Sequence, residues 1–162
     1  MNRKLRVFLD TSALFAGIWS AEGGVRMILK LGEAGALQIV IGRQVLHEID
    51  EVMQRKAPQL LPSLAVLLDR SRVDPASDPP NERVDSCEKL VSHPGDALNL
   101  AEAWNERVDY LVTLDREHFL DVPGLPEQLP FPLGTPGDFL AWYRSRLRGL
   151  PRIILTWRTE QL

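Results

Sequence analysis

The sequence has few of the residues that define disulfide-rich, zinc-binding and membrane proteins. Cys87 is its only cysteine, so the chain has no intrachain disulfide, no cysteine-based zinc site and no CxxC redox pair. A reducing cytoplasm is therefore the expected location. The apolar run that ends before Asp10 spans only residues 5–9, interrupted by Arg6, which is too short for a signal-peptide core or a membrane span. We expect a protein that does not associate with a membrane.

Neither sign of charge dominates the composition. The 19 basic and 22 acidic side chains give a formal net charge of −3, which excludes a histone-like or tail-driven nucleic-acid binder. RNA binding is not excluded, because a local basic patch can contact phosphates while surplus carboxylates hold divalent cations. With 162 residues, 44% of them hydrophobic, the chain can bury one core. We predict one domain over residues 1–162, with a core of about 5–148 and a tail of 149–162.

Apolar runs of strand length alternate with stretches of helical periodicity along the chain. Strands are predicted over residues 5–9, 37–41 and 110–114, with a weaker candidate at 71–73. Helices are predicted over residues 13–19, 25–31, 44–56, 59–68, 82–92, 97–105 and from 136 to about 147. This alternation indicates an α/β fold, a three-layer α/β/α sandwich with a mainly parallel central sheet.

Proline marks two segments as irregular. Residues 74–81 are predicted to form a loop, and five prolines between residues 121 and 137 exclude a helix and allow at most an edge strand near 129–133. Thr135, followed by Pro136, has the pattern of a helix N-cap that starts the last helix. Residues 152–156 are predicted to form a terminal strand or an arm.

Two acidic residues, Asp10 and Asp115, stand at the ends of the two clearest predicted strands. Ligands of open parallel sheets gather at the carboxyl ends of the strands, so both carboxylates are expected at one edge. Each residue also has a structural interpretation as the N-cap of the helix that follows it. Their coincidence at two strand ends favours a functional site.

Asp96 and Glu48 are the other acidic candidates. Asp96 opens the predicted helix 97–105, where it is also interpretable as an N-cap; the two roles are compatible because a helix N-terminus stabilises an ionised carboxylate. Glu48 lies at the border of the apolar stripe on helix 44–56, where it is also interpretable as an ordinary solvated charge.

Four carboxylates brought together would repel one another unless divalent cations neutralised them. Oxygen ligands without cysteine or a histidine cluster favour Mg²⁺ or Mn²⁺ over zinc. Such ions lower the pKa of a bound water and stabilise the charge that develops on a phosphodiester. Phosphodiester hydrolysis is therefore the predicted chemistry.

Four motifs in a specific order carry a family resemblance. They are Asp10-Thr11-Ser12 after a strand, Val45-Leu46-His47-Glu48-Ile49 in a helix, Gly95-Asp96-Ala97-Leu98-Asn99-Leu100-Ala101-Glu102-Ala103, and Asp109-Tyr110-Leu111-Val112-Thr113-Leu114-Asp115. This order resembles the PIN domain family, as found in VapC-like toxins and related stand-alone bacterial proteins. The resemblance extends from Leu5 to the helix after Thr135.

The resemblance implies an endoribonuclease that depends on Mg²⁺ or Mn²⁺ and hydrolyses RNA phosphodiester bonds. Its catalytic and metal-binding quartet would be Asp10, Glu48, Asp96 and Asp115. Ser12 and Thr113 match positions that support the quartet by hydrogen bonds to the first carboxylate or to a metal-bound water. If the protein is the toxin of a toxin-antitoxin pair, an antitoxin would neutralise it, and a homodimer is expected for the family.

The basic side chains near these motifs each have a functional and a structural interpretation. Arg116, next to Asp115, is a candidate for contacting an RNA phosphate, although an exposed loop arginine is the alternative. No two of the three histidines, His47, His93 and His118, have ligand spacing, which favours surface or supporting roles over catalysis.

Three other functions compete with this prediction. A dehalogenase-like phosphatase requires a second Asp two residues after Asp10, where this chain has Ser12. A phosphoacceptor signalling domain requires an acidic pair after the first strand and a lysine after Asp115, and the chain has neither. A PIN-fold binding or scaffold module with negligible nuclease activity remains an alternative.

Overall fold

A five-stranded parallel sheet organises the protein, whose computed structural model describes residues 3–147. The strands are β1 (Arg6–Leu9), β2 (Gln38–Ile41), β3 (Asp74–Pro75), β4 (Tyr110–Val112) and β5 (Leu133–Gly134), in the spatial order β3-β2-β1-β4-β5. The helices are α1 (Thr11–Trp19), α2 (Gly24–Glu33), α3 (Arg43–Lys56), α4 (Leu61–Arg70), α5 (Asn81–Glu88), α6 (Pro94–Asn105), α7 (Leu125–Gln128) and α8 (Pro136–Arg146). A 3₁₀ turn spans Pro58–Leu60, and one turn of π-helix spans Arg116–Leu120.

β1 lies at the centre of the sheet. Val7 is in register with Ile39 of β2 on one side and with Tyr110 of β4 on the other. Val7, Phe8 and Leu9 are fully buried, as expected for a parallel strand covered on both faces, which explains the continuous apolar run at this position. The predicted sandwich with a mainly parallel sheet is confirmed, and every strand pair within residues 3–147 is parallel.

The helices around this sheet also pack against one another. α1 contacts α2, which contacts α8, and α5 contacts α6, which contacts α3. The largest fully buried side chains of this core are Phe8, Phe119, Phe139, Leu9, Leu14, Ile28, Leu29, Ile39, Ile41, Ile49, Met53 and Leu100. They come from β1, β2, the π-helical turn and the helices α1, α2, α3, α6 and α8, so one core joins the sheet to its surrounding helices.

Ion pairs close the amino edge of the sheet. The Arg6 guanidinium lies 2.7 Å from the carboxylate of Glu106 and 3.3 Å from that of Asp74. The Arg6 amide donates to Asp109 at 2.7 Å, and Asp109 also pairs with Arg3. The acidic side chains at this edge therefore have arginine partners within the fold.

The third strand differs from its prediction. Residues 71–73 were expected to form it and residues 74–81 to form a loop, but the strand is Asp74–Pro75. Ser71 caps the end of α4 and Arg72 has a positive φ of 54°, so the chain is still turning where the strand was predicted. Pro75 is compatible with pairing because β3 is an edge strand, where one backbone N–H is not needed.

The proline-rich segment 121–137 contains a helix that the prediction excluded. α7 begins after Gly124, whose φ is 74°, and has Pro126 in its first turn, where the missing N–H has no intrahelical partner to lose. The edge strand predicted near 129–133 is β5, shifted to Leu133–Gly134.

Two further elements are shorter than predicted. β4 ends at Val112 instead of residue 114, and α5 ends at Glu88 instead of residue 92. The capping expectation at the start of α8 is confirmed, because Thr135 and Asp138 form a reciprocal capping box there. The predicted strand or arm at 152–156 and the tail 149–162 lie outside the described residues.

Candidate metal centre

Asp10 leaves β1 at its carboxyl end and starts α1. Its side chain accepts hydrogen bonds from the Ala13 amide at 2.8 Å and from the Ser12 hydroxyl at 2.7 Å, and a third from the Thr113 hydroxyl. Asp10 is therefore the N-cap of α1, which confirms its structural interpretation. It is also buried, with only 3% of the residue exposed. These donors fix its orientation at the edge of the sheet.

Asp115 comes shortly after β4 and is held by the hydroxyl of Thr113, which also donates to Asp10. Its amide donates to the Thr113 hydroxyl at 3.0 Å, and its carboxylate caps the π-helical turn by accepting from the His118 amide at 3.0 Å. The Leu114 amide donates to the Ser12 hydroxyl at 2.9 Å, which joins this loop to the start of α1. Ser12 and Thr113 therefore connect the ends of β1 and β4.

Glu48 extends from the first half of α3 and is half-buried rather than fully solvated. Its two carboxylate oxygens accept from different partners: the Thr11 hydroxyl donates to one, and the Gln44 side-chain amide donates to the other at 2.8 Å. Thr11 directly follows Asp10, so this hydrogen bond brings α3 to the end of β1.

Asp96 is the third residue of α6, so its alternative interpretation as the N-cap is wrong. The helix begins at Pro94 with His93 as its N-cap residue, because proline is well tolerated in a first helical turn. The Asp96 carboxylate is still in the first turn, where the helix dipole favours its ionised form.

These four carboxylates line one cleft of about 340 Å³ at the carboxyl edge of the sheet. Its lining residues are Asp10, Thr11, Ser12, Phe15, Glu48, His93, Asp96, Asn99, Asp115 and His118. Thr113 is fully buried behind them. The four acidic residues predicted from sequence are thus brought together from the end of β1, α3, the start of α6 and the loop after β4.

Among the described residues, the carboxylates of the cleft lack arginine partners like those at the opposite edge of the sheet. Within residues 3–147, the ion pairs of the four side chains include no lysine or arginine. Burial raises the pKa of Asp10 despite its hydrogen bonds. Burial also raises the pKa of Asp96, against the opposing effect of nearby His118 and His93.

Asp115 behaves differently because His118 stabilises its charge. Burial by itself would raise the pKa of Asp115, but hydrogen bonds from the His118 amide and imidazole outweigh it and lower the pKa. The pKa of His118 is in turn raised by its hydrogen bond to Asp115. The imidazole Nδ1 lies 2.9 Å from Asp115 Oδ2 and 3.6 Å from Asp96 Oδ2.

This donor set fits a hard divalent cation. Asp96, Asp115 and His118 each offer one ligand atom, and all three atoms lie within 4.8 Å of one another. Asn99 in the same cleft is 3% exposed, and its Oδ1 has no hydrogen-bond partner in the described part of the chain. Carboxylates with only histidine counter-ions in the described structure, beside a buried amide oxygen that no described group contacts, are an arrangement that a bound cation and its waters would complete.

The sequence comparison identifies the family. A family model described as PIN domain matches residues 6–117, which is most of the chain and includes all four acidic residues. The chain belongs to the PIN domain family. No curated protein gives a significant sequence match to this PIN domain.

Solved structures support the same fold. The PIN domain resembles a chain of VapBC2 from Rickettsia felis, solved bound to a DNA fragment from its promoter, with a TM-score of 0.62 and 19% identity over 81% of this chain and 98% of the other. It also resembles a chain of DNA-bound VapBC from Salmonella typhimurium, with a TM-score of 0.61 and 17% identity over 82% of this chain and 98% of the other. Similarity at this identity establishes a shared fold.

Sequence reasoning gave no role to two side chains of this PIN domain's cleft and gave a third, His118, a supporting or surface role. The hydrogen bond between His118 and Asp115 agrees with a supporting role. Thr11 and Asn99 were quoted within motifs without a role of their own. Asn99 lies one helical turn after Asp96, a spacing that predicts a shared helix face.

Arg116 does not line the cleft of the PIN domain. Its guanidinium forms two hydrogen bonds with Asp121, at 3.1 and 2.9 Å, and its side chain is exposed.

Among the described residues, no helix is long and apolar enough to cross a membrane.

Proposed function

We propose that this PIN domain is an endoribonuclease that uses Mg²⁺ or Mn²⁺ to hydrolyse RNA phosphodiester bonds. The observation that carries the proposal is the cleft in which Asp10, Glu48, Asp96 and Asp115 meet without a lysine or arginine counter-ion from residues 3–147. Carboxylates so arranged repel one another unless cations neutralise them. Metal-dependent phosphodiester hydrolysis is the chemistry that such a group of ligands serves.

Each acidic side chain would have a defined task. Asp10 is oriented by Ser12 and Thr113, so it would present a fixed oxygen to the cation, while Glu48, Asp96 and Asp115 would complete the ligands from three other directions. A divalent cation bound here would supply Lewis acidity, which activates water and neutralises charge on the phosphodiester.

The cleft is open to solvent rather than enclosed, which suits a polymer that must lie across the site. The side chains that line its rim include His93, which is 61% exposed, and His118, which is 36% exposed. The choice of RNA as the polymer follows from the resemblance to VapC-like toxins.

We propose further that the protein is the toxin of a toxin-antitoxin pair in the cytoplasm, with an antitoxin protein as its partner. The support is its family and its fold, shared with the VapBC chains from Rickettsia felis and Salmonella typhimurium. The partner gene is expected directly beside the gene of this chain, and a purified partner should form a stable complex with the protein and suppress its RNA cleavage.

Cleavage of labelled single-stranded RNA in Mg²⁺ or Mn²⁺ tests the nuclease proposal. We expect the wild type to cut only with metal, and Glu48→Gln or Asp96→Asn to lower the cleavage rate by at least about 100-fold, since each removes a charged ligand. The matched control is Glu51→Gln, an exposed glutamate on the same helix as Glu48, which should cut like the wild type.

Circular dichroism must show that each variant is folded. Equal cutting by the folded Glu48→Gln and wild-type proteins would reject the proposed site. RNA binding without cutting in either metal would favour the alternative, a PIN-fold binding or scaffold module.

A further inference from the structure

His118 is placed among the acidic side chains of the cleft rather than on an unrelated surface. Its Nδ1 lies 2.9 Å from Asp115 Oδ2 and 3.6 Å from Asp96 Oδ2. The π-helical turn that follows Asp115 holds it there, because the Asp115 carboxylate caps this turn through the His118 amide. The same three residues form the group whose ligand atoms lie within 4.8 Å of one another.

These separations fit ligands that share one cation. Two adjacent ligands of an octahedral ion with bonds near 2.1 Å are about 3.0 Å apart. The Nδ1 atom of His118 lies 2.9 Å from Asp115 and 3.6 Å from Asp96, so a small movement of the ring would bring both separations to about 3.0 Å. The ring nitrogen is therefore placed where it could bind the same cation as the carboxylates.

A second side chain indicates that something polar binds in this cleft. Asn99, which is 3% exposed, lines it together with His118, and its Oδ1 has no hydrogen-bond partner in the described structure. A buried amide oxygen costs free energy unless it accepts a hydrogen bond or contacts a cation. A hydrated ion beside Asp96 would satisfy it.

We propose that His118 is a nitrogen ligand of the metal in this site and makes the site prefer Mn²⁺ over Mg²⁺. The inference rests on the proposed function and deepens it. An imidazole nitrogen is a softer ligand than a carboxylate oxygen and binds a transition-metal ion such as Mn²⁺ better than it binds Mg²⁺, a hard ion that prefers oxygen ligands and near-ideal octahedral geometry. One nitrogen among oxygen ligands therefore favours Mn²⁺.

His93 provides a matched comparison within the same cleft. Its ring centroid lies 5.8 Å from that of His118, but its side chain is 61% exposed. Its Nδ1 lies 3.4 Å from Asp96 and forms no ion pair with Asp115 among residues 3–147. It is not part of the three-residue group. The two histidines thus differ in their contact with Asp115, while both are imidazoles near the same carboxylate.

Pulsed electron paramagnetic resonance of the purified protein with Mn²⁺ tests the ligand directly. We expect a nitrogen coupling from histidine in the wild type and in His93→Gln, and its loss in His118→Gln. Isothermal titration calorimetry with Mn²⁺ and Mg²⁺ tests the selectivity. The ratio of Mn²⁺ to Mg²⁺ affinity should fall at least about tenfold in His118→Gln and much less in His93→Gln.

The outcomes separate this inference from the proposed nuclease. Mn²⁺ bound without histidine coupling would overturn the ligand role of His118 even if RNA is cut. Tighter binding of both ions by His118→Gln would also overturn it, because the imidazole would then be competing with the cation for the carboxylates. Nitrogen coupling in a protein that cuts no RNA would support the ligand role and reject the nuclease.

Discussion

At the scale of single residues, the candidate site depends on short hydroxyl side chains that hold longer acidic ones. Thr113 is the clearest case: it is fully buried, its hydroxyl donates to Asp10, and the same oxygen accepts from the Asp115 amide. Ser12 repeats this pattern between Asp10 and the Leu114 amide. The positions of two acidic residues, distant in sequence, are therefore coupled through one threonine.

Replacing this hydroxyl should destabilise the fold and disturb the site. Thr113→Val keeps the shape of the side chain but removes a donor from buried Asp10 and leaves the Asp115 amide without its acceptor. We expect a loss of about 1–3 kcal/mol in the free energy of unfolding, measured by urea denaturation at pH 7. RNA cleavage should fall as well.

Thr113→Ser is the control, since it restores the hydroxyl at the cost of one methyl group. It should recover most of the stability and cleavage lost in Thr113→Val. A valine variant as stable as the wild type would show that the hydroxyl does not support Asp10.

At the scale of elements, a buried glutamate of α6 lies against the start of α3. Gly42, the N-cap residue of α3, has no capping side chain. A Cβ placed on Gly42 would lie 1.9 Å from Glu102 Oε2, so the absence of a side chain makes room for this carboxyl. Burial raises the pKa of Glu102 to about 7, against the lowering effect of the Gln44 and Arg43 amides. Glu102 itself is 2% exposed.

This carboxyl should make stability fall as pH rises through neutrality. The pKa of Glu102 is about 7 in the folded protein, above the ordinary value of 4.5. The protonated carboxyl therefore contributes its full share to the free energy of unfolding below pH 4.5, and this share is lost as pH rises through 7. Glu102→Gln removes this titration. When the pH is raised from 5 to 8, the free energy of unfolding should fall by on the order of 2 kcal/mol more in the wild type than in the variant.

Urea denaturation at both pH values measures this difference, and Glu51→Gln, which changes an exposed glutamate, should keep the wild-type profile. Parallel pH profiles for Glu102→Gln and the wild type would mean that Glu102 ionises normally in the fold.

Long elements were predictable from sequence, whereas the shortest ones were not. The buried residues of β1 and the spacing of Val45, Ile49 and Met53 on α3 reflect burial on faces that each element repeats along its length. β3 has only two residues, and its position depends on pairing with β2 rather than on its own composition. α7 formed despite Pro126 because proline at a helix start loses no hydrogen bond.

At the scale of the whole molecule, the candidate metal centre joins parts of the chain that only the fold brings together. Its acidic residues come from β1, α3, α6 and the loop after β4, and the unfolded chain has no such site. A cation bound there would therefore bind the folded state alone and stabilise it by mass action.

Metal should raise the melting temperature of this protein. At a Mn²⁺ concentration about 100 times the dissociation constant, binding adds about 2.7 kcal/mol, or roughly 5–10 °C for a chain of this size. Circular dichroism melting with Mn²⁺ and with EDTA measures the shift. Glu48→Gln should show a smaller shift, and Glu51→Gln the full one; equal shifts in all three proteins would place Mn²⁺ elsewhere.

The amino-acid sequence was sufficient to predict the family, the parallel sheet and the four acidic residues proposed as ligands. These depend on burial patterns and on residue types at strand and helix ends, which are local properties of the chain. Three contacts could be known only from the fold: His118 approaches both Asp96 and Asp115, Thr11 donates to Glu48, and Glu102 lies against Gly42. Distances between side chains on different elements depend on how those elements pack, and no single segment specifies that packing.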